Sequence, residues 1–219
     1  MVEFSSPKGK TGVRILVGPP NMYVYHSSKT QGLKTIEPRI STHEKSWVYA
    51  LKSPEHSILF MGNNHDLINQ IGNDVNGELY IFERFAGALE HAYKGEEGSI
   101  YTLDAGDFKA GMTSWDPEVI CEHACPVIKE EKIDNVLDKI LELDKESKIK
   151  VYRFPNRPPG VPADNSDLID KAARWASRPG KAGEHVLEEI KKYLPDLLDK
   201  VKERMKQGAA SHGGGDGEI

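Results

Sequence analysis

Two cysteines in 219 residues cannot build a disulfide framework, so a small secreted scaffold held by crosslinks is excluded. A reducing, cytoplasmic setting is the expectation. No apolar run is long enough to span a bilayer, and Met1-Val2-Glu3-Phe4-Ser5-Ser6-Pro7-Lys8 lacks the apolar centre of a signal peptide, so no membrane association is expected. There is no Gly-x-Gly-x-x-Gly after a strand and no phosphate-loop lysine motif. There is no Gly-x-Ser-x-Gly elbow for a nucleophilic serine, and no internal repeat. The net charge of −5 argues against general nucleic-acid binding.

What is present suits a soluble chain with a substantial core: 38% of the residues are hydrophobic and 29% charged. The charge is uneven. Residues 1–52 carry eight basic and three acidic side chains, an excess of five that leaves −10 for the remainder. A local excess of that sign suits a phosphate-bearing ligand, and solvated surface charge accounts for it equally well.

Two aromatic, β-branched runs read as strands: Met22-Tyr23-Val24-Tyr25-His26-Ser27-Ser28 and Ser46-Trp47-Val48-Tyr49-Ala50-Leu51. Between them lies the connector Gln31-Gly32-Leu33-Lys34-Thr35-Ile36-Glu37-Pro38. Upstream, 1–12 reads as a loose lead-in, Val13–Val17 as a short strand and Gly18-Pro19-Pro20-Asn21 as a turn. Downstream, Ser53-Pro54-Glu55 signals a helix start, with serine as cap and proline in the first turn. His65 to Gly77 reads as polar and turn-rich. Strands are expected at Glu78–Phe85, Ser99–Leu103, from Glu118 towards Ile128, and at Ile149–Phe154. Glu131–Leu143 has the periodicity of an amphipathic helix, with Ile133, Val136, Leu137, Ile140 and Leu141 on one face. Short spacings favour antiparallel pairing over a βαβ repeat. The expected class is α+β: a mainly antiparallel split sheet with flanking helices over 1–154. A proline-rich linker follows at 155–163, then a C-terminal helical segment at 164–207, capped at Asn165 or Ser166, and a disordered tail at 208–219. The apolar stripes of that segment should pack on the sheet or on another protein.

A strand-end histidine and a tyrosine on a following strand make a ligand cleft. The Tyr25-His26-Ser27-Ser28 strand, the Gly32-Leu33 to Pro38 connector and the Val48-Tyr49-Ala50 strand together resemble the histidine–tyrosine branch of the ADP-ribosyltransferase-like superfamily. The resemblance covers roughly 22 to 130, about half the chain. Many branches have glycine directly after the histidine, where this chain has Ser27. The resemblance implies NAD as the ligand and ADP-ribose transfer to a macromolecular acceptor or water. At a strand end the His26 imidazole can donate to a ribose hydroxyl, and the hydroxyls of Ser27 and Ser28 with nearby backbone groups can meet an amide; the resemblance implies that His26 holds an NAD ribose, that the backbone of the next residue, Ser27, binds the nicotinamide amide, and that Tyr49 stacks on the nicotinamide ring. It also implies a glutamate at the start of a late strand, which steadies the positive charge that builds on the sugar as the N-glycosidic bond breaks. Glu118 fits that position, with Glu122 the alternative. Arg39, Ser41 and Thr42 are placed to contact phosphate or ribose, or to form a solvated loop.

Two other functional classes stand beside this one. One is a non-catalytic nucleotide- or partner-binding module on the same scaffold. The other is an enzyme transferring an RNA 2′-phosphate to NAD, for which no basic cluster is assignable. Cys121-Glu122-His123-Ala124-Cys125 puts three metal-binding side chains in five residues but lacks a second ligand pair, so two buried thiols and no metal are expected.

Overall fold

The computed structural model describes residues 22–40, 45–113 and 115–212, with side chains through 208. The expected strand at Val13–Val17, the Gly18–Asn21 turn, Ser41 and Thr42 lie outside the described residues. The first half contains β1 Tyr23–Ser28, β2 Thr35–Ile36, β3 Arg39–Ile40, β4 Ser46–Leu51, α1 Pro54–Ile58, β5 Asn69–Asn73, β6 Leu79–Glu83, α2 Ala88–Tyr93 and β7 Gly98–Asp104. Then follow β8 Lys109–Ala110, β9 Glu118–Cys121, β10 Cys125–Pro126, β11 Lys129–Ile133, α3 Val136–Lys145 and β12 Lys150–Tyr152. The C-terminal part is helical: α4 Ile169–Ala176, α5 Lys181–Tyr193 and α6 Leu198–His212, with 3-10 turns at Ser166–Leu168 and Pro195–Leu197.

The class is α+β. The main sheet has seven strands in the order β11-β7-β1-β4-β9-β8, with β3 paired onto β4. A three-stranded sheet, β12-β6-β5, and a two-stranded ribbon, β10-β2, make up the rest of the β-structure among the described residues. The described pairings are antiparallel except β12 on β6. That parallel pair departs from the antiparallel expectation, and α3, leading directly into β12, supplies the crossover that parallel strands need.

Alternation along the strands separates two cores. Val24, Val48, Ala50, Tyr101, Leu103, Val119 and Cys121 face one side, over Ile36 and Cys125 of the ribbon. Ile100 and Ile133 face the other, against α1, α2, α3 and β6 through Ile58, Leu89, Ile140 and Ile81. Burying each such aliphatic side chain contributes about 1.5–3 kcal/mol. Gly98 lets β7 close on β1, since a Cβ there would lie 2.4 Å from the Ser28 carbonyl oxygen.

Several local expectations change. The helix expected from Glu131 begins at Val136, where the Asn135 side chain accepts from the Asp138 amide at 3.1 Å. Glu131 and Ile133 instead belong to β11, paired with Ile100 and Gly98, because edge pairing with β7 outweighs helical periodicity at the segment's start. The strand from Glu118 stops at Cys121, and Cys125–Pro126 joins the other ribbon. The polar stretch after His65 contains β5, and Ala88–Tyr93 forms an additional helix. Asn165 holds the N-cap position of the 3-10 turn with a left-handed backbone, φ 56°, but makes no side-chain capping bond: its side-chain oxygen accepts instead from Arg84 and Arg157 at 3.1 and 2.7 Å. Helix α6 continues to His212, into the stretch read as a disordered tail.

The C-terminal helices pack back on their own chain. Leu67 sits among Leu168, Ile190, Leu194, Leu197 and Val201, and Phe85 stacks on Tyr193 with ring centroids 4.7 Å apart. Arg84, 2% exposed, anchors this junction by donating to both oxygens of Asp167 and to the Asp66 carbonyl, with Gln70 also in contact. The linker is fastened as well: Arg157 lies over the Phe82 ring at 5.4 Å.

Candidate functional site

Among the described strands, the main sheet opens between β1 and β4. Strands β1 and β4 are in register at Tyr25 and Leu51 alone, after which β1 stays paired with β7 through Ser28 and β4 with β9. His26 spans the opening. Its Nδ1 lies 2.7 Å from the Tyr49 carbonyl oxygen, which can only accept, so Nδ1 carries the proton and a neutral ring keeps Nε2 as an acceptor. In this tautomer Nε2 is free to accept, whereas the expected ribose contact has the imidazole donating. Burial holds the His26 pKa below its ordinary value, opposed by the Tyr49 hydrogen bond and reinforced by the nearby Arg39 charge.

A cavity of about 660 Å³ fills the opening, within the range of cofactor-sized sites. His26, Ser27, Ser28, Arg39, Tyr49 and Glu118 all line it. Tyr49 and Glu118 reach it by register. Tyr49 pairs with Ile120 and Leu51 with Glu118, and paired antiparallel residues share a face, so the phenol and the carboxylate lie on one side of the β4–β9 ladder. Burial raises the Tyr49 pKa, and the Glu118 charge raises it further, which keeps the phenol neutral. Glu122 is not brought to the cavity. The chain bends after Cys121, and Glu122 is exposed and ion-paired with Lys109 at 2.7 Å.

Of the described basic residues in the N-terminal quarter, Lys29, Lys34, Arg39, Lys45 and Lys52, Arg39 alone lines the cavity. Among the described lining residues the charged groups are Arg39, Glu37 and Glu118. Lys29 pairs with Glu96 at 2.6 Å and Lys52 with Asp116 at 2.9 Å.

The connector walls the cavity through Leu33, Thr35, Ile36 and Glu37, and two groups beneath hold it in place. The Tyr101 hydroxyl donates to the Thr30 carbonyl at 2.7 Å and accepts from the Leu33 amide at 3.2 Å. Glu130 accepts from the Gly32 amide and the Ser99 hydroxyl, both at 2.7 Å, and these bonds hold its carboxyl below its ordinary pKa. The β10–β2 pairing ties down the rest of the connector.

Sequence reasoning missed several lining groups. Trp47 was legible by strand alternation, two residues before Tyr49 and on its face; the rings meet edge to face at 6.0 Å. Phe60, Ser57 and Asn64 come from α1 and the turn after it, brought in by packing with no local signal. Phe60 also meets Trp115, with ring centroids 5.6 Å apart. Outside the cavity, Cys121, His123 and Cys125 converge as possible metal ligands. Among the described residues no helix is long and apolar enough to cross a membrane.

The chain matches no family model, no curated protein and no solved structure.

Proposed function

We propose that the cavity binds NAD and that the protein is an NAD-dependent ADP-ribosyltransferase. The observation that carries this reading is the convergence of His26, Tyr49 and Glu118, from β1, β4 and β9, on one cofactor-sized cavity. In this reading His26 Nε2 accepts a ribose hydroxyl proton, and Tyr49 with Trp47 offers the aromatic surface for the nicotinamide ring. Ser27 and Ser28 provide polar groups beside it, and Arg39 supplies positive charge for the diphosphate. The bond between nicotinamide nitrogen and ribose breaks with its electron pair leaving on nicotinamide. Glu118 stabilises the sugar cation electrostatically, and an acceptor nucleophile then bonds to the same carbon. The acceptor is a macromolecule or water. The transfer of an RNA 2′-phosphate draws no support, since Arg39 is the one cation among the described lining residues. A cytoplasmic setting accompanies this reading, with both thiols free.

The test is nicotinamide release from NAD by the full chain, with thermal melting at rising NAD concentration. The reading expects release, and a loss of about 10²–10³-fold in Glu118→Gln with NAD-induced stabilisation kept. A concentration-dependent rise in Tm without release selects the non-catalytic binding module. Neither release nor stabilisation sinks both.

A further inference from the structure

The loop between β9 and β10 holds a second chemical cluster, separate from the cavity. Strand β9 ends at Cys121, the chain bends through Glu122 to Ala124, and β10 begins at Cys125. Both thiols are buried, at 0% and 5% exposure, while the intervening His123 is exposed. The bend nevertheless folds the imidazole back, so that one ligand atom from each of the three residues lies within 4.8 Å of the others. None of the three lines the cavity.

We propose that Cys121, His123 and Cys125 bind a single zinc ion, with Asp107 orienting the imidazole. A tetrahedral zinc with Zn–S bonds of about 2.3 Å sets its ligand atoms about 3.8 Å apart, so the observed cluster needs about 1 Å of closure. His123 is exposed and lies in a bend, so its side chain is free to rotate toward the two thiols. Two thiolates and an imidazole form a soft donor set, which selects zinc or a similarly thiophilic ion over calcium or magnesium. The surroundings suit ligation as well. His123 Nδ1 lies 3.1 Å from the Ala124 carbonyl oxygen and Nε2 lies 3.4 Å from an Asp107 carboxylate oxygen. In the proposed site Nδ1 turns from the Ala124 carbonyl to the metal and Nε2–H donates to Asp107, the outer hydrogen bond that fixes the tautomer of a ligating histidine. Two thiolates balance the dication, and the fourth position is left to solvent. The ion would fasten β9, whose Cys121 pairs with Val48 of β4, to β10, whose Cys125 pairs with Ile36 in the cavity wall. The site would thus tie β9 to β10 next to the Ile36 stretch of the cavity wall.

The experiment titrates the reduced, chelator-treated full chain with cobalt(II), a spectroscopic probe for zinc sites. One equivalent is expected to produce a thiolate-to-metal charge-transfer band together with the visible bands of tetrahedral cobalt, and zinc should displace it. Cys125→Ser should abolish the charge-transfer band. Because that variant removes a buried side chain, His123→Ala at an exposed position is the decisive one: it should keep the parent's circular dichroism and bind cobalt at least tenfold more weakly. Asp107→Asn should weaken binding about tenfold. No charge-transfer band at one equivalent, or unchanged cobalt affinity in His123→Ala, overturns the proposal.

Discussion

Replacing Tyr101 with phenylalanine deletes one oxygen atom beneath the cavity wall. The ring is completely buried and packs with Val24, Leu103 and Val119, so phenylalanine fills the same space. What is lost is the hydroxyl that donates to the Thr30 carbonyl at 2.7 Å, accepts from the Leu33 amide at 3.2 Å and lies 3.3 Å from a Glu130 oxygen. A neutral hydrogen bond contributes about 1 kcal/mol net. Thr30 is exposed and its carbonyl regains water, whereas the half-buried Leu33 amide does so incompletely. The expected loss is about 2 kcal/mol, which for a chain of this length lowers Tm by about 4–8 °C. The consequence specific to this position is local. The connector bearing Leu33, Thr35, Ile36 and Glu37 loses one of the two groups beneath it and keeps only Glu130 and the β10–β2 pairing, so NAD-induced stabilisation should fall further than global stability alone requires. Asn135→Ala is the control, since it removes a helix cap away from the cavity at a cost of about 1 kcal/mol and should leave the NAD response intact. Differential scanning calorimetry with and without NAD reads both effects. A Tyr101→Phe melt within about 1 °C of the parent would refute the reasoning, because the hydroxyl would then hold nothing in place.

Asp167→Ala leaves the buried Arg84 guanidinium without its carboxylate. A loss of about 3 kcal/mol in urea denaturation is expected, at the low end for a broken buried pair because the Asp167 side chain keeps 28% exposure. The lowered pKa of His26 means that the unfolded chain takes up a proton sooner than the folded one as pH falls. Stability should therefore be full above pH 6.5 and decline as pH drops through that value, levelling off below the folded pKa. His26→Asn should make that decline shallower without abolishing it, because His56, also lowered by burial, titrates in the same sense; an identical pH profile would count against the buried imidazole. The Ser57 hydroxyl is buried beside the cavity with no hydrogen-bond partner among the described residues, so Ser57→Ala should leave Tm unchanged or raise it. A clear fall in Tm would show that the oxygen has a stabilising partner after all.

Local chemistry determined a good deal from the sequence alone. The aromatic and β-branched runs of β1 and β4 show on the chain because alternation and side-chain shape act over a few residues. So does the start of α1, where the Ser53 hydroxyl accepts from the His56 amide at 3.3 Å ahead of Pro54. The pairing of His26 with Tyr49 was legible as two strand signals around a turn-rich connector. The choice between Glu118 and Glu122 was not, because both follow one period until the chain bends after Cys121. Nor was the strand character of Glu131 and Ile133, which rests on pairing with β7 some thirty residues earlier. The same holds for the inward packing of the C-terminal helices, which depends on Leu67 and Arg84 more than eighty residues upstream of most of their partners. Tertiary structure alone decided the parting of β1 from β4 that creates the cavity, and the return of His123 over two thiols. Both depend on where distant strands end, and a hydrogen-bonded ladder is terminated by its partners as much as by its own residues.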